Sequence, residues 1–357
     1  MTHPLRIAFY APLKAPDHPV PSGDRLMARM LVACLEAAGH KVMVMSDLRT
    51  YLRDPSDVAG WAALQAAAAA EVARLADVQA DLWFTYHPYY KSPDLIGPVI
   101  CARAGLPYVT CEASYSARRN MGVWGDMQAR VLQAVQGAAL NLCLTDRDRV
   151  GLLAAAYDAV VAQFPPFIDE VPFSAAPTPQ NGHLVTVAMM RAGDKAQSYA
   201  LLAQALAILP RGVDWHLTVA GDGPLRREVQ AMFGDRVTWA DQLDRTGVAA
   251  LLATGAVYVW PGCGEAYGLA YLEAQAAGLP VVAMAVAGVP EVVTDGVTGI
   301  LAADGDAAGI ATAITRLLGD EGLRRQMGRA ARAQVQAKHT MQGAVLRLDA
   351  LLQGVMG

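Results

Sequence analysis

Residues 261–282 read PGCGEAYGLAYLEAQAAGLPVV, and their order decides the fold. An apolar run at 256–260 ends in a loop containing Gly262, Gly264 and Gly268. A helical stretch follows, Gly278 stops it, and Pro280-Val281-Val282 opens another strand. Strand, glycine loop, helix and strand in this order form the repeating unit of a parallel sheet covered by helices. Glycines let the backbone approach a ligand closely, and the first amides of the following helix direct positive charge at an anion. The segment therefore reads as a cradle for a diphosphate.

The same alternation runs through the whole chain, twice. Strand candidates in the first half are 5–11, 41–46, 81–86, 107–112, 138–144 and 159–164, and in the second half 183–190, 214–220, 236–239, 256–260 and 280–284. A chain of 357 residues also exceeds the usual growth of a single core. Pro165, Pro166, Pro172, Pro177 and Pro179 cluster between the halves, where proline removes backbone donors and favours extended chain. The expected architecture is α/β, with two Rossmann-like doubly wound parallel-sheet domains facing a cleft. Residues 1–165 would form the first domain, 166–182 a linker and 183–337 the second domain. Residues 338–357 would form a C-terminal helix, expected by analogy to pack back on the first domain. Ligands of such sheets bind at the carboxyl ends of the strands.

Composition excludes several classes of function. With 54% hydrophobic and 17% charged residues the chain is not disordered. No uncharged apolar run reaches the roughly 18 residues of a membrane span. Met1 to Arg6 leads directly into Ile7-Ala8-Phe9-Tyr10 with no signal-peptide pattern, so a cytoplasmic location is expected. The five cysteines, Cys34, Cys101, Cys111, Cys143 and Cys263, have neither disulfide nor zinc spacing. Net charge is −4 and no dense basic block occurs, which argues against a nucleic-acid partner.

Two carboxylates stand in the decisive stretch, Glu265 in the loop and Glu273 inside the helix. Glu273 is placed to accept hydrogen bonds from the vicinal hydroxyls of a ribose, while Glu265 reaches toward a donor sugar. Spacing alone does not separate this from an ordinary solvated helix face. Other segments add to it: Gly221-Asp222-Gly223-Pro224, and Gly288-Val289-Pro290-Glu291-Val292-Val293 with Asp295, Gly296 and Gly299. Together, and in this order, these stretches resemble the retaining glycosyltransferases of the GT4 family, which have the GT-B fold. Their hallmark is Glu, seven residues, Glu, followed by a glycine and Pro-Val-Val.

The resemblance implies transfer of a sugar from a nucleotide diphosphate sugar, a UDP-sugar by preference, to an acceptor hydroxyl. It implies retention of configuration, with the leaving diphosphate helping to deprotonate the acceptor. Arg191 and Lys195, after the first strand of the second half, match a pair that grips the diphosphate; surface charge at a strand end is the alternative. Donor contacts carry over to Gly264, Ala266, Tyr267, Gly268, Leu269 and Gly221, and to Gly23 in Pro21-Ser22-Gly23-Asp24, where Asp24 either caps the following helix or touches the acceptor. Glu265 is the catalytic carboxylate on this reading. Many relatives have a His after the strand at 107–111, but Glu112 stands here; His87, closing the strand at 81–86, is the other catalytic candidate, with a purely structural histidine as the alternative.

No cofactor and no metal ion are expected beyond the nucleotide sugar substrate. Asp146-Arg147-Asp148 and Asp304-Gly305-Asp306 each open a helix, where carboxylates cap free amides. An NAD-dependent oxidoreductase is the strongest rival, yet Met284-Ala285-Val286 stands where a ribose-binding acid belongs. A nucleotide-sugar epimerase of the same fold and a non-catalytic sugar-binding module are the others. The acceptor, whether saccharide, lipid-linked or small molecule, is expected at Tyr86 to Lys91 and Glu112 to Arg119. Met121, Val123, Trp124 and Met127 beside Arg118, Arg119 and Arg130 raise peripheral membrane contact, against the alternative of a half-buried helix.

Overall fold

The computed structural model describes residues 3–357, which divide into two compact units. Residues 1–165 and 341–357 make one, and residues 166–340 the other. In the first, β1 (Arg6–Tyr10), α1 (Gly23–Ala37), β2 (Lys41–Val44), α2 (Val58–Arg74), β3 (Leu82–Tyr86) and α3 (Gly97–Ala104) are followed by β4 (Tyr108–Cys111), α4 (Val123–Gly137), β5 (Leu140–Cys143), α5 (Asp146–Ala155) and β6 (Val161–Gln163). All pairings are parallel, in the order β2-β1-β3-β4-β5-β6. Helices on both faces bury β3 and β4 completely, which is why these strands are mostly apolar, with Thr85 and Thr110 as buried hydrogen-bonded exceptions.

The second unit repeats the plan. Its elements are β7 (His183–Val187), α6 (Asp194–Ala207), β8 (His216–Ala220), α7 (Arg226–Gln230), β9 (Val237–Trp239), α8 (Arg245–Thr254) and β10 (Val257–Val259). After these come α9 (Leu269–Ala276), β11 (Val281–Met284), α10 (Val289–Val292), β12 (Gly299–Ala302), α11 (Ala307–Gly319) and α12 (Glu321–Lys338). The parallel order is β12-β11-β10-β7-β8-β9. Strand order reverses between β1 and β3 in one sheet and between β7 and β10 in the other, so each unit has one switch point where loops diverge.

The structure departs from the sequence reading at two strands and, at the suggested membrane patch, favours the alternative of a half-buried helix. The edge strand β12 was not anticipated: it is four residues long, and Gly299 placed it inside a glycine-rich loop. β7 ends at Val187, not 190, because the chain leaves the sheet to bond the Gly221 turn, with Ala188 N donating to Ala220 O and Met190 N to Asp222 O. The proposed membrane patch is largely internal: Val123, Trp124 and Met127 pack with Leu52 and Trp61 in a core cluster, and only Met121 is exposed.

The proline-rich stretch 166–182 is anchored in the second unit rather than loose. Phe167 and Ile168 are fully buried, Ile168 N donates to His339 O, and the His339 ring contacts Pro166 O at 2.7 Å. The last helix, α13 (Met341–Met356), packs on α1 in the first unit, where Asp349 lies 3.4 Å from the buried His40.

Candidate functional site

At the carboxyl end of the second sheet, the glycine loop is stapled to the start of α6. Ser198 Oγ accepts from Cys263 N at 2.9 Å and donates to Asp194 O at 2.8 Å. Tyr271, one turn into α9, donates its hydroxyl to Trp260 O at 3.0 Å. Gly262 has a φ of +79°, and a Cβ there would meet the Tyr271 hydroxyl at 2.1 Å. Only glycine fits both the backbone conformation and the space. At Gly221 a Cβ would meet Ala188 O at 1.9 Å, so the turn after β8 and the chain leaving β7 touch backbone to backbone.

Lys195 lies in the first turn of α6 and not at the strand end. Its ammonium pairs directly with Glu265 Oε1, and the same oxygen accepts from the Trp260 indole N–H at 3.2 Å. The ammonium also sits 5.3 Å from the centre of the Trp260 ring. Sequence reasoning named Lys195 and Glu265 separately and missed Trp260, which looked like the last apolar residue of a strand. Arg191 is exposed on the loop between β7 and α6. Gly264 and Ala266 are exposed as well, while Tyr267 and Leu269 are buried, so those two can meet a ligand only through their backbone. Glu273 is half-buried, and its burial pushes the carboxyl up to about 7 against the opposing pull of Arg245.

The first unit assembles a different site. β3 and β4 are in register Tyr86 to Cys111, so the next residues, His87 and Glu112, leave adjacent strands side by side. Both have left-handed backbone, with φ of +58° and +59°, conformations that cost non-glycine residues free energy and collect at functional sites. Gly23 is the first residue of α1, across the switch point from β3. Ser22 caps this helix by accepting from Arg25 N, so Asp24 is not the cap; it contacts His87 Nδ1 at 3.2 Å.

Asp148 joins this group from α5, which sequence reasoning missed because Asp-Arg-Asp read as capping alone. Thr145 is the actual cap, and Asp148 accepts its hydroxyl at 2.7 Å. Burial lowers the His87 imidazole, but Glu112, Asp24 and Asp148 outweigh it and bring the group to about 9. Burial raises Glu112 to about 7, further lifted by Asp148 and Asp24 and countered by His87.

Two doubly wound parallel sheets, the second with a glycine loop, a paired lysine and carboxylate, and a half-buried glutamate at its switch point, define a nucleotide-binding α/β protein of the GT-B kind. A family model described as "Glycosyl transferases group 1" matches residues 181–320. D-inositol 3-phosphate glycosyltransferase of Pseudarthrobacter chlorophenolicus is 30% identical over 290 residues, covering 74% of this chain and 69% of the relative. The chain belongs to the group 1 glycosyltransferases. N-acetyl-alpha-D-glucosaminyl L-malate synthase of Bacillus anthracis is 34% identical over 160 residues; that match covers 43% of this chain and 42% of the synthase. The crystal structure of the Anabaena protein HepE with UDP and glucose superimposes with a TM-score of 0.73 at 15% identity, covering 98% of this chain and 100% of that one, a likeness of fold.

Proposed function

We propose that the protein transfers a hexosyl group from a UDP-sugar to an acceptor hydroxyl, with retention of anomeric configuration and without a metal ion. The observation that carries this reading is the Lys195–Glu265 pair beside the glycine loop at the switch point of the second sheet. The Lys195 ammonium rests on the Glu265 carboxylate. A diphosphate entering the loop takes the ammonium over and leaves Glu265 to accept hydrogen bonds from the donor sugar. Arg191 and the amides of Gly264 to Leu269 add to the neutralisation, so charge developing on the leaving diphosphate meets positive groups already in place. That arrangement supplies what a divalent cation supplies elsewhere. Glu273 holds the ribose, and a diphosphate oxygen takes the acceptor proton on the same face.

On the acceptor side, His87 and Glu112 take the place of the histidine usual after the fourth strand. The relatives' names point to small hydroxyl compounds, L-malate and inositol 3-phosphate, as their acceptors. A small polar acceptor is favoured here by the ionisable groups around His87. The relatives are named as a glycosyltransferase and a synthase that joins a glucosaminyl group to L-malate, which disfavours an epimerase of this fold. Cytoplasmic action fits the five free cysteines, four of them buried thiols. Among the described residues no helix is long and apolar enough to cross a membrane.

The test is release of UDP from UDP-glucose and other UDP-sugars, with and without candidate acceptors. Lys195→Ala and Glu265→Gln are each expected to lower turnover by roughly 100-fold or more at unchanged Tm. Wild-type rates in both variants overturn the assignment.

A further inference from the structure

Asp24 pairs with His87 across the first sheet's switch point, 3.2 Å from Nδ1. Ser22 caps α1 by accepting from Arg25 N, and the Asp24 carboxylate in the first turn is half-buried rather than solvated. Its position in the first turn suits negative charge, which the helix dipole favours there. An ionised carboxylate only accepts, so the 3.2 Å contact with Nδ1 is a hydrogen bond donated by the ring.

Each element around the ring contributes. Glu112 leaves β4 beside it and Asp148 approaches from α5, both acting on it electrostatically. On its own segment the Tyr86 and Tyr89 rings lie with centroids 5.6 and 5.1 Å away. Left-handed backbone at position 87 fixes where the ring begins, and the two tyrosines limit where it turns.

We propose that Asp24 is the positioning residue of His87: its carboxylate holds Nδ1–H, fixes the ring plane, and leaves Nε2 as the ring atom that meets a substrate oxygen. This rests on the reading of His87 as a catalytic residue. A carboxylate behind a histidine sets ring orientation and charge in the same way wherever the far nitrogen does the work. Three carboxylates around one imidazole keep it cationic at neutral pH, so Nε2 acts as a hydrogen-bond donor to developing negative charge rather than as a base.

The experiment follows the His87 ring by 15N-edited NMR and, in parallel, UDP release from UDP-glucose in Asp24→Asn, Asp24→Glu and His87→Gln. Asp24→Asn keeps the shape and loses the charge. It is expected to lower the His87 titration midpoint by about one unit. It should also cut kcat roughly 10- to 100-fold with little change in KM. Asp24→Glu, which retains a carboxylate, should recover part of both. A merely structural Asp24 would move Tm but not the ring titration. If His87→Gln is inactive while Asp24→Asn titrates and turns over like wild type, the proposal fails alone. Full activity in His87→Gln overturns the reading of His87 beneath it.

Discussion

The two switch points solve one problem by different means. In the second sheet the candidate site is made of backbone: glycines at 221 and 262 bring the chain closer than any side chain permits, and the charged side chains beside them, Lys195 and Glu265, neutralise one another. In the first sheet it is made of side chains on strained backbone, with His87 and Glu112 left-handed and three carboxylates around one imidazole. A backbone cradle suits a fixed anion such as a diphosphate, whose geometry does not vary among donors. A charged side-chain cluster can be altered one residue at a time, which suits the part that must recognise a particular acceptor.

The comparison breaks most directly at Gly262. Adding one methyl places Cβ 2.1 Å from the Tyr271 hydroxyl in a backbone region hostile to it, and Tyr271 anchors Trp260, the partner of Glu265. Gly262→Ala is expected to cost about 1–3 kcal/mol of stability and to abolish UDP binding measured by calorimetry. Tight UDP binding in this variant means that the cradle is not backbone-made.

The same contrast explains what the sequence discloses. A glycine encodes backbone geometry locally, so residues 261–282 announce the second site in a single run, and the parallel sheets follow from strand alternation. Asp24, His87, Glu112 and Asp148 lie far apart in the chain and meet only because β1, β3, β4 and β5 are neighbours in the sheet. Nothing local distinguishes Asp148 from a helix-start aspartate, which it also is. Glu112 stood out only as a departure from the family's histidine. Lys195 and Trp260 both read as strand-end residues, while their shared hold on Glu265 is a tertiary fact. β12 was hidden because four residues beside a glycine turn carry too little pattern.

Titration sharpens the comparison, since each site holds a buried carboxyl raised to about 7, Glu273 in one and Glu112 in the other, and only the first is read as a ligand contact of the nucleotide. Burial raises Glu273 to about 7, whereas its usual value is 4.5. A carboxyl raised in the folded state favours the fold at low pH, and this contribution is lost as pH rises from 4.5 through about 7. Ribose hydroxyls donate to the ionised form, so ligand affinity has the opposite trend. UDP-glucose, whose diphosphate does not itself titrate in this range, should bind more tightly as pH rises from 5.5 to 8, approaching tenfold per unit below the midpoint. Glu273→Gln should flatten the profile, and Glu112→Gln in the other unit should leave its slope in place. A flat profile in the unsubstituted protein removes Glu273 from the ribose.

The smallest effect separates strain from chemistry at His87. Left-handed backbone disfavours most side chains, yet asparagine tolerates it better than nearly any other residue. His87→Asn therefore keeps the local conformation and a polar group near Asp24, and its Tm is expected to fall less than that of a variant that also strains the backbone, because only the charge of a partly buried pair, with side chains 19% and 34% exposed, is lost. His87→Val, with a branched side chain at a φ of +58°, should instead cost about 1–3 kcal/mol. Both should be inactive on UDP-glucose, so equal activities with unequal melting temperatures would assign the imidazole to the reaction and the backbone to the fold. Equal melting temperatures would mean that the loop after β3 relaxes freely, and the contrast between a strained side-chain site and a glycine-built one would then be confined to the second sheet.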